Sequence, residues 1–302
     1  RNNLADGVNF CQGTSNAAVF NCSIRNNGDD GLAIWNNNYL SAKNTQNDIF
    51  CYNTIEFIWR AGGIAVYGGD NHSIYNNYIR DCFMSSGIHL NTNFGGYKFE
   101  HTDNISFANN IIVKCGTNYD VWKSELGAVD ITGDVKNVTF TNTYIYSAIQ
   151  DGVKLGTNVS NVSFQNLTIY GAGITPKPSY CTSTALGAAI NGHGSSVSIN
   201  GLFLRNILNA APVSSANNSS LTITNQKNEG NIGYTIPASK GQKLQPNQSS
   251  DGSDTTPKPH THTWSAIKII KDATTKATGI KGQICTGCGA INPATKTILP
   301  KY

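Results

Sequence analysis

The 302-residue chain predicts an all-β fold, a right-handed parallel β-helix (solenoid) followed by a flexible linker and a small C-terminal β module. Three observations predict it. One apolar–Asn–apolar motif recurs along most of the chain, a second Gly-centred motif follows each copy, and Asn, Ser, Thr and Gly stand where charges usually would, only 13% of residues being Asp, Glu, Lys or Arg.

The first motif appears as VFNCSI (19–24), FCYNTI (50–55), IYNNYI (74–79), FANNII (107–112), FTNTYI (140–145), FQNLTI (164–169) and INGLFL (199–204). Its first column is Val, Ile or Phe and its last is Ile six times and then Leu. Its third holds Asn21, Asn76, Asn109, Asn142 and Asn166, interrupted by Tyr52 and Gly201. The second motif reads DGLAIW (30–35), GGIAVY (62–67), SGIHLN (86–91), a looser GAVDIT (127–132), DGVKLG (151–156) and LGAAIN (186–191). The first Ile columns lie 31, 24 and 33 residues apart, so the unit is about 24 residues with insertions, long enough for three short strands and three turns. Apolar columns then stack along one axis, and stacked Asn side chains bond amide to amide. Leucine-rich repeats lack a match in the Leu pattern, and the Gly- and Asn-broken β-branched runs exclude alternating helices.

The repeat fades after SLTITNQ (220–226) and NIGYTI (231–236), which sets the solenoid at 1–237, a Pro/Gly/Ser-rich linker at 238–259 and a Cys-bearing module at 260–302. Since RNNLADGVNF reads as the inside of a unit, a further N-terminal part with its cap and export signal is expected. The net charge of +4 comes from scattered residues, which excludes a nucleic-acid footprint, and no apolar run is long enough for membrane insertion. The expected setting is extracellular or cell-surface, bacterial and Gram-positive, and the expected state a monomer.

On the repeat grid Asp6-Gly7 and Asp30-Gly31 are 24 residues apart, one whole unit, which places the two aspartates on neighbouring strands about 4.8 Å apart. Asp29 precedes the column by one residue. Three carboxylates converging on one edge resist shared ionisation, so at least one pKa rises, and a raised acid beside an ordinary one suits glycoside hydrolysis. Asp151-Gly152 recurs with no acid stacked on it and reads as turn chemistry alone.

With ADG at 5–7 and GDDG at 28–31 on a β-helix, the chain resembles glycoside hydrolase family 87, the bacterial α-1,3-glucanases (mutanases) and mycodextranases, over roughly residues 1–236. The resemblance implies an inverting endo-hydrolase of α-glucan that needs no cofactor for catalysis. Asp6 and Asp30 are then expected to hold the water and Asp29 to be the general acid, with permuted roles open. The three-acid pattern is shared with dextranases and polygalacturonases. Against pectin, the region one turn on is CYNTIEF, and the Gly-His-Gly at 192–194 lies several turns away, reading as a tight turn. A polysaccharide lyase would want a basic residue and Ca²⁺ by the acids. A non-catalytic adhesin or glycan-binding stalk has no reason to put three acids in register.

Three residues after the Asp column stand Asn9, Ala33, Ala65, His89, Asp130 and Lys154, expected to point outward along a sugar-binding face. Substrate contacts are expected from Trp35, Trp59, Arg60, Tyr67, His89, Glu125 and Asp130, with Trp122 and Glu125 in a long insertion at 113–126. Of eight cysteines, Cys82 and Cys115 read as stacked core residues, while Cys11, Cys22, Cys51 and Cys181 have no obvious mates, so mostly reduced thiols are expected. In the tail, Cys285, Cys288 and His262 (or His260) are candidates for a structural zinc site, the alternative being a small β module for wall association or glycan binding. The Asn-x-Ser/Thr sequons follow from Asn beside Ser and Thr and are not read as glycosylated.

Overall fold

The computed structural model describes residues 1–36, 44–94, 97–98, 102–119, 124–174, 187–214 and 220–233, and in the C-terminal part 263–271, 279–284, 286, 292 and 294–299. The chain divides into two units, Arg1–Ala238 and Ser239–Tyr302. The described secondary structure of the first unit is all strand, wound as a parallel β-helix.

One face of the solenoid is a seven-stranded parallel sheet built from Val8–Cys11, Leu32–Trp35, Ile64–Tyr67, Ile88–Leu90, Val129–Ile131, Val153–Leu155 and Ile190–Gly192. These are the Gly-centred motifs, paired in the expected register: Asn9 with Ala33, Ala33 with Ala65, Ala65 with His89, His89 with Asp130 and Asp130 with Lys154. The other motif supplies two further strands per turn. They are separate in early turns, as at Ile49–Cys51 and Thr54–Glu56, and merge into bent strands at Lys136–Ala148 and Ser160–Ala172.

Both apolar columns stack as the sequence implies. Val19, Phe50, Ile74, Phe107, Phe140, Phe164 and Ile199 are successive register partners, as are Ile24, Ile55, Ile79, Ile112, Ile145, Ile169 and Leu204. Phe107, Phe140 and Phe164 lie in parallel stacks with centroids 4.5 Å apart. Cys82 and Cys115 are fully buried in the same core, and the five described cysteines are free thiols.

The Asn columns divide into two kinds. Asn21, Asn76, Asn109, Asn142 and Asn166 sit at a corner with φ of 50–59°, a left-handed conformation that Asn tolerates better than most residues, and the intruding Tyr52 and Gly201 adopt it too. The amide ladder is seen there between Asn109, Asn142 and Asn166. The interior ladder lies one residue on: Asn53, Asn77 and Asn110 are buried, bond side chain to side chain at 3.0–3.1 Å, and each donates to a backbone carbonyl of the preceding turn. Each buried amide thereby avoids the cost of an unpaired polar group.

The second unit contains a three-stranded antiparallel sheet, Lys268–Lys271, Gly279–Gly282 and Thr297–Leu299. Cys285, Cys288, His260 and His262 lie outside the described residues, as do Cys181 and Trp122.

Candidate active site

The first turns of the site sheet explain where the acids stand. Gly7 and Gly31 are placed where a Cβ would meet the carbonyl oxygen of the next turn, at 2.3 Å from Gly31 and 2.6 Å from Gly63 respectively. Only glycine allows turns to approach this closely, and the residue just before it is fixed at the sheet edge. In two successive turns that residue is an aspartate, and the backbone N–H of Gly7 donates to the carbonyl of Asp30 at 2.9 Å.

One carboxylate oxygen from each of Asp6, Asp29 and Asp30 lies within 4.8 Å of the others. Asp6 Oδ1 accepts the backbone N–H of Asp30 at 3.0 Å, while its Oδ2 accepts the Asn9 amide at 2.6 Å. Asp30 accepts the backbone N–H of Gly62 at 2.7 Å and a bond from the Tyr67 hydroxyl. Asp29 is ion-paired with Arg60, and its Oδ1 also accepts the Asp30 N–H, at 3.2 Å.

Burial and charge separate the three. Asp30 is 4% exposed, whereas the Asp29 side chain keeps 35% of its surface. Burial first, then the charges of Asp6 and Asp29, push Asp30 well above the ordinary carboxylate range. Asp6 is raised as well, by burial and by Asp29. Two carboxyls with elevated proton affinity thus stand beside a more exposed one held by a guanidinium.

Around them, Trp59 is 42% exposed and leans on the acid loop: a Cβ on Gly28 would meet its ring at 2.4 Å. Trp35 is the register partner of Tyr67, as expected, and packs on Ala65 and Tyr67. Tyr67 itself is buried, and its hydroxyl serves Asp30 rather than a groove surface. His89 is mostly covered and Asp130 wholly so, with His89 Nδ1 at 3.4 Å from the Tyr67 hydroxyl. Glu125 is half-buried, and its carbonyl accepts the Lys154 ammonium. His193 of the Gly-His-Gly turn lies between two glycines of positive φ, with Ser220 beside it.

The roles of Tyr67 and of the Gly62 N–H as partners of Asp30 were not read from the sequence. The signal was present: both belong to GGIAVY, the motif of the turn stacked on DGLAIW.

The family model described as α-1,3-glucanase catalytic domain D2 matches residues 1–186. Among solved structures, the catalytic unit of a thermostable GH87 α-1,3-glucanase from Streptomyces thermodiastaticus strain HF3-3 is 20% identical with a TM-score of 0.55, over 75% of this chain and 42% of that one. A GH87 α-1,3-glucanase catalytic domain in complex with nigerose is 23% identical with a TM-score of 0.52, over 74% and 43%. An aspartate-to-alanine variant of such a domain in complex with tetrasaccharides is 20% identical, with the same TM-score and coverage. The chain therefore spans less than half the length of the solved domains it matches, and at these identities the likeness shows the β-helical fold. No curated protein matches the chain. With 186 of its 302 residues covered by that one family model, the chain belongs to the α-1,3-glucanase catalytic domain D2 family.

Proposed function

We propose that the protein is a secreted glycoside hydrolase that cleaves α-1,3-glucan with inversion, using Asp6, Asp29 and Asp30. The observation that carries this reading is the acid cluster itself, three carboxylates within 4.8 Å at the edge of a β-helix of this family. The stacked pair, Asp6 and Asp30, is assigned to hold the attacking water, and both have their proton affinity raised, which suits a base that takes a proton. Asp29 keeps 35% of its side-chain surface and follows Gly28, on which the Trp59 ring leans, a ring on which a sugar can stack, so it is assigned as the acid that protonates the leaving oxygen.

The burial of Asp30 and its strongly raised proton affinity favour a second assignment, in which Asp30 is the acid. An α-glucosyl fluoride, whose leaving group needs no protonation, separates the two. The variant lacking the acid keeps its rate on the fluoride and loses it on glucan; the variant lacking the base loses both and regains turnover with azide. Retention of this pattern by Asp29→Asn supports the first assignment, and its appearance in Asp30→Asn supports the second. A product of retained anomeric configuration rejects both.

The Ser239–Tyr302 unit is assigned, on its small β-sheet, to wall association or glycan binding, the alternative being a structural zinc module through Cys285, Cys288 and His262, which lie outside the described residues. Metal analysis and glucan pull-down of the intact chain test this.

A further inference from the structure

Behind the three acids stands a line of polar groups that the hydrolytic roles leave unused. The Tyr67 hydroxyl bonds the Asp30 carboxyl on one side and faces His89 Nδ1 at 3.4 Å on the other. The far side of that ring, His89 Nε2, lies 3.7 Å from Asp130 Oδ1. Both atoms are buried, and neither has a hydrogen-bond partner. The second oxygen of Asp130 is taken by the backbone N–H of Gly127 at 3.1 Å, which leaves Oδ1 for the ring. Lys154, the next register partner, donates its ammonium to the Glu125 carbonyl. A charge or ring buried with open valences this close to an acid cluster calls for a use.

We propose that Asp30, Tyr67, His89 and Asp130 form a proton relay that carries the proton taken from the attacking water away from Asp30 and delivers it to Asp130. The proposal rests on the hydrolytic reading of the triad and adds a role that the triad alone does not have. Asp30 is nearly sealed from solvent and Asp130 wholly so, so the relay parks the proton away from the acid cluster while the next water binds, and the proton returns along the same line to leave through the cluster.

The transfer balances in three hops. The O–H bond of protonated Asp30 breaks toward the Tyr67 oxygen, the Tyr67 proton passes to His89 Nδ1, and the proton on His89 Nε2 passes to Asp130 Oδ1. No electrons are exchanged. Tyr67 and His89 end neutral, Asp30 becomes the carboxylate, Asp130 becomes the acid, and His89 has changed from its Nε2–H to its Nδ1–H tautomer. Each end state gives every link one donor and one acceptor, and the reverse direction is equally satisfied. The two long links, 3.4 and 3.7 Å, are the loose geometry common where no substrate is bound.

Electrostatics agree with this geometry. Burial holds His89 down to about 4, so the ring remains neutral and can relay without storing charge. Burial raises Asp130 to about 7, with Lys154 opposing and Asp151 adding to it, so it holds a proton near neutrality. At the other end Asp30 faces Asp6, Asp29 and the hydroxyl of Tyr67. His89 faces Tyr67, Asp130 and the positive charge of Lys154.

The test is ¹⁵N NMR of histidine-labelled intact protein across pH, together with kinetics on α-1,3-glucan. In the wild type His89 changes between its two neutral tautomers as Asp30 titrates. Tyr67→Phe breaks the first link and freezes the tautomer. Asp130→Asn, which can still donate to Nε2 while accepting from Gly127, fixes the Nδ1–H form. Both variants lower kcat at least about tenfold with KM within about twofold, and shift the acidic limb of the pH profile, the limb set by the groups that must accept a proton. A tautomer that ignores the titration of Asp30, or that behaves alike in wild type and Tyr67→Phe, overturns the relay. If the wild type cleaves no α-glucan, the hydrolytic reading fails, while the NMR coupling still decides the relay by itself.

Discussion

Asp6 accepts the backbone N–H of Asp30 at 3.0 Å across one full turn of the solenoid, so one acid is held by the peptide that carries another. The same N–H is shared with Asp29 at 3.2 Å, which makes the peptide between Asp29 and Asp30 the hub of the cluster. Because the acceptor is an amide-compatible oxygen, Asp6→Asn keeps this bond through its Oδ1. The unfolding midpoint is expected to be unchanged, while kcat falls at least about 10²-fold through loss of one of the two carboxylates assigned to hold the attacking water. Thermal unfolding and glucan kinetics on the same preparation check both halves.

Arg60 and Asp29 are each more than a third exposed, so their ion pair adds little to stability, at most about 1 kcal/mol. Arg60→Met is therefore expected to unfold normally. Its kcat/KM on α-1,3-glucan drops more than about tenfold, because Asp29 loses the group that orients it. A drop in stability larger than the drop in activity would make Arg60 a structural residue.

Phe140 is the middle ring of the Phe107–Phe140–Phe164 stack and has no exposed surface. Truncation leaves a cavity between two rings fixed by parallel pairing on both sides, where collapse is restricted. Phe140→Ala is expected to cost about 3–5 kcal/mol, measured by denaturant unfolding.

His72 is buried, and its Nδ1 accepts the backbone N–H of Asp48 at 3.2 Å, a bond that needs the neutral ring. Burial pulls its pKa from 6.5 to about 4. Between those values the unfolded chain binds more protons, so stability is full above pH 6.5 and falls as the pH drops toward 4. The histidine share of that loss reaches about 3 kcal/mol. The raised acids, Asp48 and Asp130 among them, run oppositely and lose stability as the pH rises from 3.8. His72→Asn retains an acceptor without the titration, and urea unfolding at pH 6.5, 5.5 and 4.5 is expected to show a shallower acid-side slope.

The solenoid was legible because its period repeats the same requirement every turn. Ile24, Ile55 and Ile79 must stack, Gly7 and Gly31 must admit a neighbouring carbonyl, and the left-handed corner selects Asn at 21, 76 and 109. The acid triad was legible for the same reason, as a departure from the column on the repeat's own grid. The interior amide ladder of Asn53, Asn77 and Asn110 was hidden beside the corner column, because both hold Asn and only the winding decides which side chain turns inward. The tasks of Tyr67, His89 and Asp130 were also hidden. Register puts them on one face, but the column pattern does not say how far that face is covered, and here Asp130 and Tyr67 are buried.

On the proposed reading, three aspartates in solenoid register hydrolyse α-1,3-glucan. Reducing-end release from insoluble α-1,3-glucan by the intact chain, wild type against Asp30→Asn, tests it most directly. The wild type is predicted to release reducing ends, and the variant to be at least about 10²-fold slower with the same far-UV spectrum. No release by the wild type, or equal rates in the two proteins, would contradict it.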